Sequence, residues 1–159
     1  MAQMNLMRRI FGHARPGERR RQPRARTAHG MRILVVDDSA TIRAVLGKML
    51  AQNGYAVLDA GSGEAALKLV RESVPDLIFL DIVMPGMNGF GVLRALRHDA
   101  RTLATPIIMI SGNAQATEQF CVQRFGADDF LKKPFGRGEV FARIARLAAA
   151  GRLTVARRA

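Results

Sequence analysis

Cysteine is nearly missing from this 159-residue chain: Cys121 is the only one, so neither an intramolecular disulfide nor a cysteine metal cage can form. Lying between Phe120 and Val122 in a helical pattern, it reads as a small buried apolar side chain rather than a reactive thiol. No apolar stretch approaches the roughly 18 to 20 residues of a membrane span. The amino terminus lacks the apolar core of a secretory signal, because Arg8 and Arg9 are followed by more arginines. A soluble, cytoplasmic protein is the expectation. There is no Gly-rich loop ending in Gly-Lys-Ser/Thr, which removes a Walker-type phosphate cradle. A catalytic triad fails as well, since His13 and His29 lie in the amino-terminal segment and His98 follows a helical pattern. No internal repeat is visible.

Acids are also scarce. Thirteen Asp and Glu face 25 Lys and Arg, for a formal net charge of +12. More than half of that excess sits in residues 1–30, where eight arginines meet one acid, Glu18, among Pro16, Pro23 and several glycines. Low hydrophobicity and repelling charge predict a disordered arm. Three readings of it stay open: a silent solvated arm, a binder of nucleic acid or anionic lipid, or a segment preceding a true start at Met31.

What is present, from Met31 onward, is alternation. Hydrophobic residues make up 48% of the chain, enough for one domain over residues 31–150. Strands are predicted at 32–36, 55–58, 77–80, 107–110 and 129–131. Between them run helical patterns. The first places Ile42, Val45, Leu46, Met49 and Leu50 inward, with Ser39 as its cap and Asn53-Gly54 as its end, both being residues that tolerate the left-handed conformation. The second, over 63–71, turns Ala66, Leu67 and Val70 inward; the third, Val92, Leu93 and Leu96. A fourth is predicted over about 115–125, closed by Gly126, and the last buries Val140, Ile144 and Leu147. Five strands alternating with five helices predict an α/β fold with a parallel sheet, right-handed crossovers and helices on both faces. The strands are nearly continuous apolar runs, as strands covered on both faces should be. Residues 151–159 form a short basic tail, too short for a helix-turn-helix or a catalytic domain.

Asp37, Asp38, Asp81, Ser111 and Lys133 each stand at or just past the end of one of these runs. In an open parallel sheet the carboxyl ends of the strands share one edge, where ligand crevices form. Three carboxylates gathered there repel by about a few kcal/mol per pair at an effective dielectric near 20. They therefore call for a cation. Oxygen ligands without soft partners suit Mg²⁺. A carboxylate of such a group can also be a nucleophile, forming an aspartyl phosphate. Each residue alone has a blander explanation, such as a favourable charge at a helix start for Asp37-Asp38, a turn residue for Asp81, a satisfied backbone group for Ser111, or a solvated turn for Lys132-Lys133-Pro134. Their joint occurrence weakens all four.

The order Val35-Val36-Asp37-Asp38-Ser39, Leu80-Asp81-Ile82-Val83-Met84-Pro85-Gly86-Met87-Asn88-Gly89, Met109-Ile110-Ser111-Gly112 and Lys132-Lys133-Pro134-Phe135 resembles the receiver domain of two-component response regulators, over residues 31 to about 148. The resemblance implies a flavodoxin-like strand order of 2-1-3-4-5. It implies Asp81 as the phosphoacceptor and Mg²⁺ held by Asp38, Asp81 and the backbone carbonyl of Val83, with Asp37 acting mostly through water. Ser111, Gly112 and Lys133 would receive the phosphoryl group, and the peptide before Pro134 would be cis. Ser111 and Phe130 would form the switch, the aromatic turning inward after modification. The partners implied are a histidine kinase or phosphotransfer protein and a downstream protein docking on the face of the fourth helix, fifth strand and last helix, with no dedicated DNA-binding domain, no membrane span, and a monomeric or weakly dimeric state. The chain would not itself be an enzyme.

Residues 81–90, with Gln115, Thr117 and Gly126-Ala127, look similar to the PilH-type single-domain regulators of pilus-driven twitching. A diffusible messenger and a phosphate sink that drains a kinase are both compatible with this. So is a scaffold of receiver fold that works without phosphorylation, although the intact acidic site argues against it. A haloacid-dehalogenase-type hydrolase would need a second aspartate two residues after the nucleophile, where Val83 stands.

Overall fold

The computed structural model describes residues 30–112 and 124–153. The arginine-rich arm over 1–29, Cys121, most of the helix predicted over 115–125 and the end of the basic tail lie outside the described residues.

Five strands, β1 (Arg32–Val36), β2 (Ala56–Ala60), β3 (Leu77–Asp81), β4 (Ile107–Ser111) and β5 (Asp129–Lys132), form one sheet in the order β2-β1-β3-β4-β5. Every adjacent pair is parallel. Parallel neighbours need crossovers, and the helices α1 (Ala40–Gln52), α2 (Gly63–Glu72), α3 (Gly89–Arg97) and α4 (Arg137–Ala149) supply them or follow the last strand.

Side chains alternate across the sheet and build a core on each face. On one face Ile33, Val35, Phe79, Ile108, Ile110 and Leu131 pack with Leu46 and Leu50 of α1 and with Val140, Ile144 and Leu147 of α4. On the other, Leu34, Val36, Ile78, Leu80, Met109 and Phe130 pack with Ala66 and Val70 of α2 and with Val92, Leu93 and Leu96 of α3. The central strands β3 and β4 are buried at every position, which is why their sequences show no polar alternation.

Three local expectations change. The second strand is displaced to 56–60: Tyr55 is buried but donates its N–H to the carbonyl of Leu50 at the end of α1, and the edge strand that follows buries only Ala60. Val45 is 44% exposed. It lies about 100° around the helix from Leu46, and the buried stripe is centred on Leu46 and Leu50. At the end of α1 only Gly54 takes a left-handed φ, of +85°, while Asn53 caps the helix at −98°.

Candidate functional site

The carboxyl ends of β1, β3, β4 and β5 meet at one edge, and the sequence there turns polar. β1 runs directly into Asp37 and Asp38, where the turn before α1 is set by local bonds. Asp37 Oδ1 accepts from the Ser39 N–H at 2.9 Å, and the Ser39 hydroxyl accepts from the Ile42 N–H at 3.3 Å as the helix N-cap. Such caps satisfy amides that a helix start leaves unpaired. Asp81 is the last residue of β3, Ser111 the last of β4, and Lys133 follows β5. The Lys133 N–H donates to the Ser111 carbonyl at 2.8 Å, so the backbones carrying these two side chains are tied together.

Asp37, Asp38 and Asp81 each offer a carboxylate oxygen, and the three oxygens lie within 4.8 Å of one another. Asp37 is fully buried and Asp81 is 3% exposed, whereas Asp38 is open to solvent. Lys133 Nζ lies 2.7 Å from Asp37 Oδ2 and 3.5 Å from Asp81 Oδ1. That ion pair is the only contact for Asp37 Oδ2, which makes no well-angled hydrogen bond among the described residues. One ammonium thus faces two buried carboxylates and a third, exposed one.

The imbalance appears in the protonation of Asp81. Burial first, and the nearby charge of Asp37 second, push its carboxyl up to about 6, against the pull of Lys133 and of the Val83 N–H. Because the folded value lies above the ordinary 3.8, the folded state holds this proton more tightly than the unfolded chain does. The stability so gained is complete below about pH 4 and is lost as pH rises through about 6. Thermal unfolding in EDTA should show this fall, and Asp81→Asn should remove that part of the slope. An identical slope in the variant would contradict the assignment.

The remaining expected residues are placed as follows. Val83 is exposed on the loop after β3. Ser111 is buried and Gly112 exposed beside it, where, among the described residues, an added Cβ would meet Lys133 Cβ at 3.9 Å. The Lys133-Pro134 peptide is cis. Phe130 stands in the inward position, 6% exposed in the core between the sheet and α2 and α3. Two residues at this edge have roles that the sequence does not show, although Gly89 stands in the motif quoted above. Gly89 packs against the backbone of Asp81, and Arg43 donates to the carbonyl of Asp37.

Residues 33–145 match the family described as the response regulator receiver domain. The chain belongs to that family. Among relatives of this receiver, it is 45% identical over 103 residues to the protein PilH of Pseudomonas aeruginosa, covering 65% of this chain and 85% of PilH. It is 42% identical over 113 residues to the DNA-binding response regulator MtrA of Mycolicibacterium paratuberculosis, covering 71% of this chain and 49% of MtrA. The receiver thus spans about half the length of several curated relatives that it matches. Among solved structures, the chemotaxis protein CheY4 of Vibrio cholerae aligns with a TM-score of 0.70 at 31% identity, over 73% of this chain and 97% of CheY4. The flavodoxin-like topology agrees with that likeness. No helix among the described residues is long and apolar enough to cross a membrane.

Proposed function

We propose that this receiver accepts a phosphoryl group on Asp81 from the phosphohistidine of a kinase or phosphotransfer protein, with Mg²⁺ bound at the acidic edge. The observation that carries the reading is the position of Asp81: the end of a central strand, within 4.8 Å of two other carboxylates, with Lys133 Nζ at 3.5 Å. The donor set fits the ion, being all oxygen, and the two buried carboxylates that share the single Lys133 ammonium, with the raised Asp81 carboxyl, favour added positive charge. Asp38, Asp81 and the Val83 carbonyl would hold it, with Asp37 acting through water. When bound, the cation supplies charge compensation for the transferring oxygens.

The rest of the chemistry belongs to side chains. A carboxylate oxygen of Asp81 attacks phosphorus as the bond from phosphorus to the donor imidazole breaks, and the phosphohistidine ring, protonated from solvent on its other nitrogen, leaves as neutral imidazole. Lys133, already turned toward Asp81, donates to one phosphoryl oxygen as a compact charge. The Ser111 hydroxyl donates to another, and the open space at Gly112 admits the group. The chain acts as phosphoacceptor, not as an enzyme on further substrates, in the cytoplasm where such kinases expose their phosphohistidine. Its output is a changed affinity for a protein docking on the face of β5 and α4, with Ser111 and the buried Phe130 coupling site to surface. The identity to PilH over most of that protein's length supports the twitching-type subgroup suggested by residues 81–90.

Incubation with acetyl phosphate and Mg²⁺ should add the mass of one phosphoryl group to the parent. Asp81→Asn, or EDTA, should abolish the adduct. An adduct of equal yield on the variant would overturn the assignment.

A further inference from the structure

Arg43 sits in the first turn of α1, where it ought to be unwelcome. The amino end of a helix carries partial positive charge, so a cation there is disfavoured, and α1 has no acid in its first turn to offset it. The neighbouring edge must also admit a cation. Yet the side chain is held firmly. Helical side chains lean back toward the amino end, and Arg43 follows that direction: Nη1 donates to the Asp37 carbonyl at 2.7 Å and Nε donates to Asp59 Oδ2 at 3.0 Å. A Cβ added at Gly61 would come within 3.1 Å of Nη1, so the guanidinium packs closely against a residue that has no side chain.

These contacts matter because of Asp38. Its exposed carboxylate makes no hydrogen bond or ion pair among the described residues, so only the backbone of the turn positions it. That backbone is pinned at Asp37 on both sides of the residue. The Asp37 N–H donates to the Ala60 carbonyl at 3.2 Å, and the Asp37 carbonyl accepts from Arg43. Both pins lead to the β2 edge, through Ala60 in one case and through Arg43 and Asp59 in the other. Asp59 also neutralises the guanidinium, so the turn is fastened without an uncompensated positive charge beside the acidic cluster.

We infer that Arg43, seated against Gly61 and Asp59, is a positioning residue that holds the Asp37-Asp38 turn in the geometry that binds a divalent cation. The inference rests on the metal reading above. Calorimetric titration of Mg²⁺ into the parent, Arg43→Met, Arg43→Lys and Asp59→Asn tests it, with unfolding midpoints in EDTA recorded alongside. Outer groups that orient ligands typically affect metal affinity by 10-fold to 100-fold. Arg43→Met should weaken Mg²⁺ binding by about tenfold. Lysine, which cannot bridge carbonyl and carboxylate with one planar fork, should restore little of the loss. Asp59→Asn, which keeps the arginine but leaves its charge unneutralised, should also weaken binding. A purely architectural role would lower the midpoint in EDTA and leave the Mg²⁺ affinity alone. Parent-like or tighter binding by Arg43→Met, or full rescue by lysine, overturns the inference. A parent that binds no Mg²⁺ overturns the metal reading and this inference with it.

Discussion

Gly89→Ala should cost the protein about 3 kcal/mol or more of stability, the upper end of what overpacking a filled site costs, and should abolish phosphoryl transfer to whatever fraction still folds. A Cβ built at Gly89 would overlap the Asp81 carbonyl oxygen and lie 2.9 Å from the Asp81 carbonyl carbon and 2.8 Å from Ile82 Cα. All three are backbone atoms, so no rotamer change relieves the overlap. The glycine cannot back away without breaking the 2.8 Å hydrogen bond from its N–H to the Ile82 carbonyl, and α3 is held to the sheet by Val92, Leu93 and Leu96. What gives must be the end of β3, the segment that presents Asp81. Gly91→Ala is the matched control, because its Cβ would meet the flexible Met87 side chain, Cγ at 3.1 Å, and alanine is the better helix former. Urea denaturation of the two variants should separate them clearly. Parental stability in Gly89→Ala would mean that the close approach does not constrain Asp81.

Lys133→Ala should be the other large effect. Removing one partner of a buried ion pair leaves the second without compensation, at about 3 to 5 kcal/mol when burial is complete. Asp37 is fully buried, but the Lys133 side chain is 21% exposed, so the loss should fall near 2 to 3 kcal/mol. The ammonium also holds the Asp81 carboxyl down. Without it that carboxyl should titrate higher still, and the destabilisation in EDTA should be greater at pH 8 than at pH 5. Under the proposed function, saturating Mg²⁺ should recover part of the stability, because the ion replaces some of the missing charge. Chemical denaturation at both pH values, with EDTA and with Mg²⁺, measures each part. A loss that does not depend on pH would show that packing of the lysine stem, and not its charge, is what the site uses.

The parts of this molecule that could be read from its sequence are those governed by local pattern. β1, β3 and β4 are fully or almost fully buried, so their apolar runs announce them and the polar residue that ends each run marks the shared edge. The edge strand β2 has only one buried residue, which leaves the pattern too weak to fix its position. Val45 misled for a similar reason, since an apolar residue next in sequence to a buried one lies about 100° around the helix and can still face solvent. Contacts between distant positions were not legible. Arg43 meets Asp59 sixteen residues away, and Gly89 is required by the backbone of Asp81. Arg97 donates to the carbonyls of Gly126 and Thr105 and pairs with Asp128, which in turn accepts from the Ile107 N–H and holds Arg152. No spacing rule connects those residues, because the sheet order alone brings them together at the edge opposite the acidic site.

Under the proposed function Asp81, and neither of its acidic neighbours, becomes esterified. Borohydride cleaves an acyl phosphate reductively and leaves homoserine in place of the modified aspartate, so protein treated with acetyl phosphate and Mg²⁺, then reduced and digested, reports the position by peptide mass. Homoserine is expected at position 81 alone, and none when EDTA replaces Mg²⁺. Homoserine at position 37 or 38, or an unmodified Asp81 under conditions that phosphorylate another receiver, would contradict it.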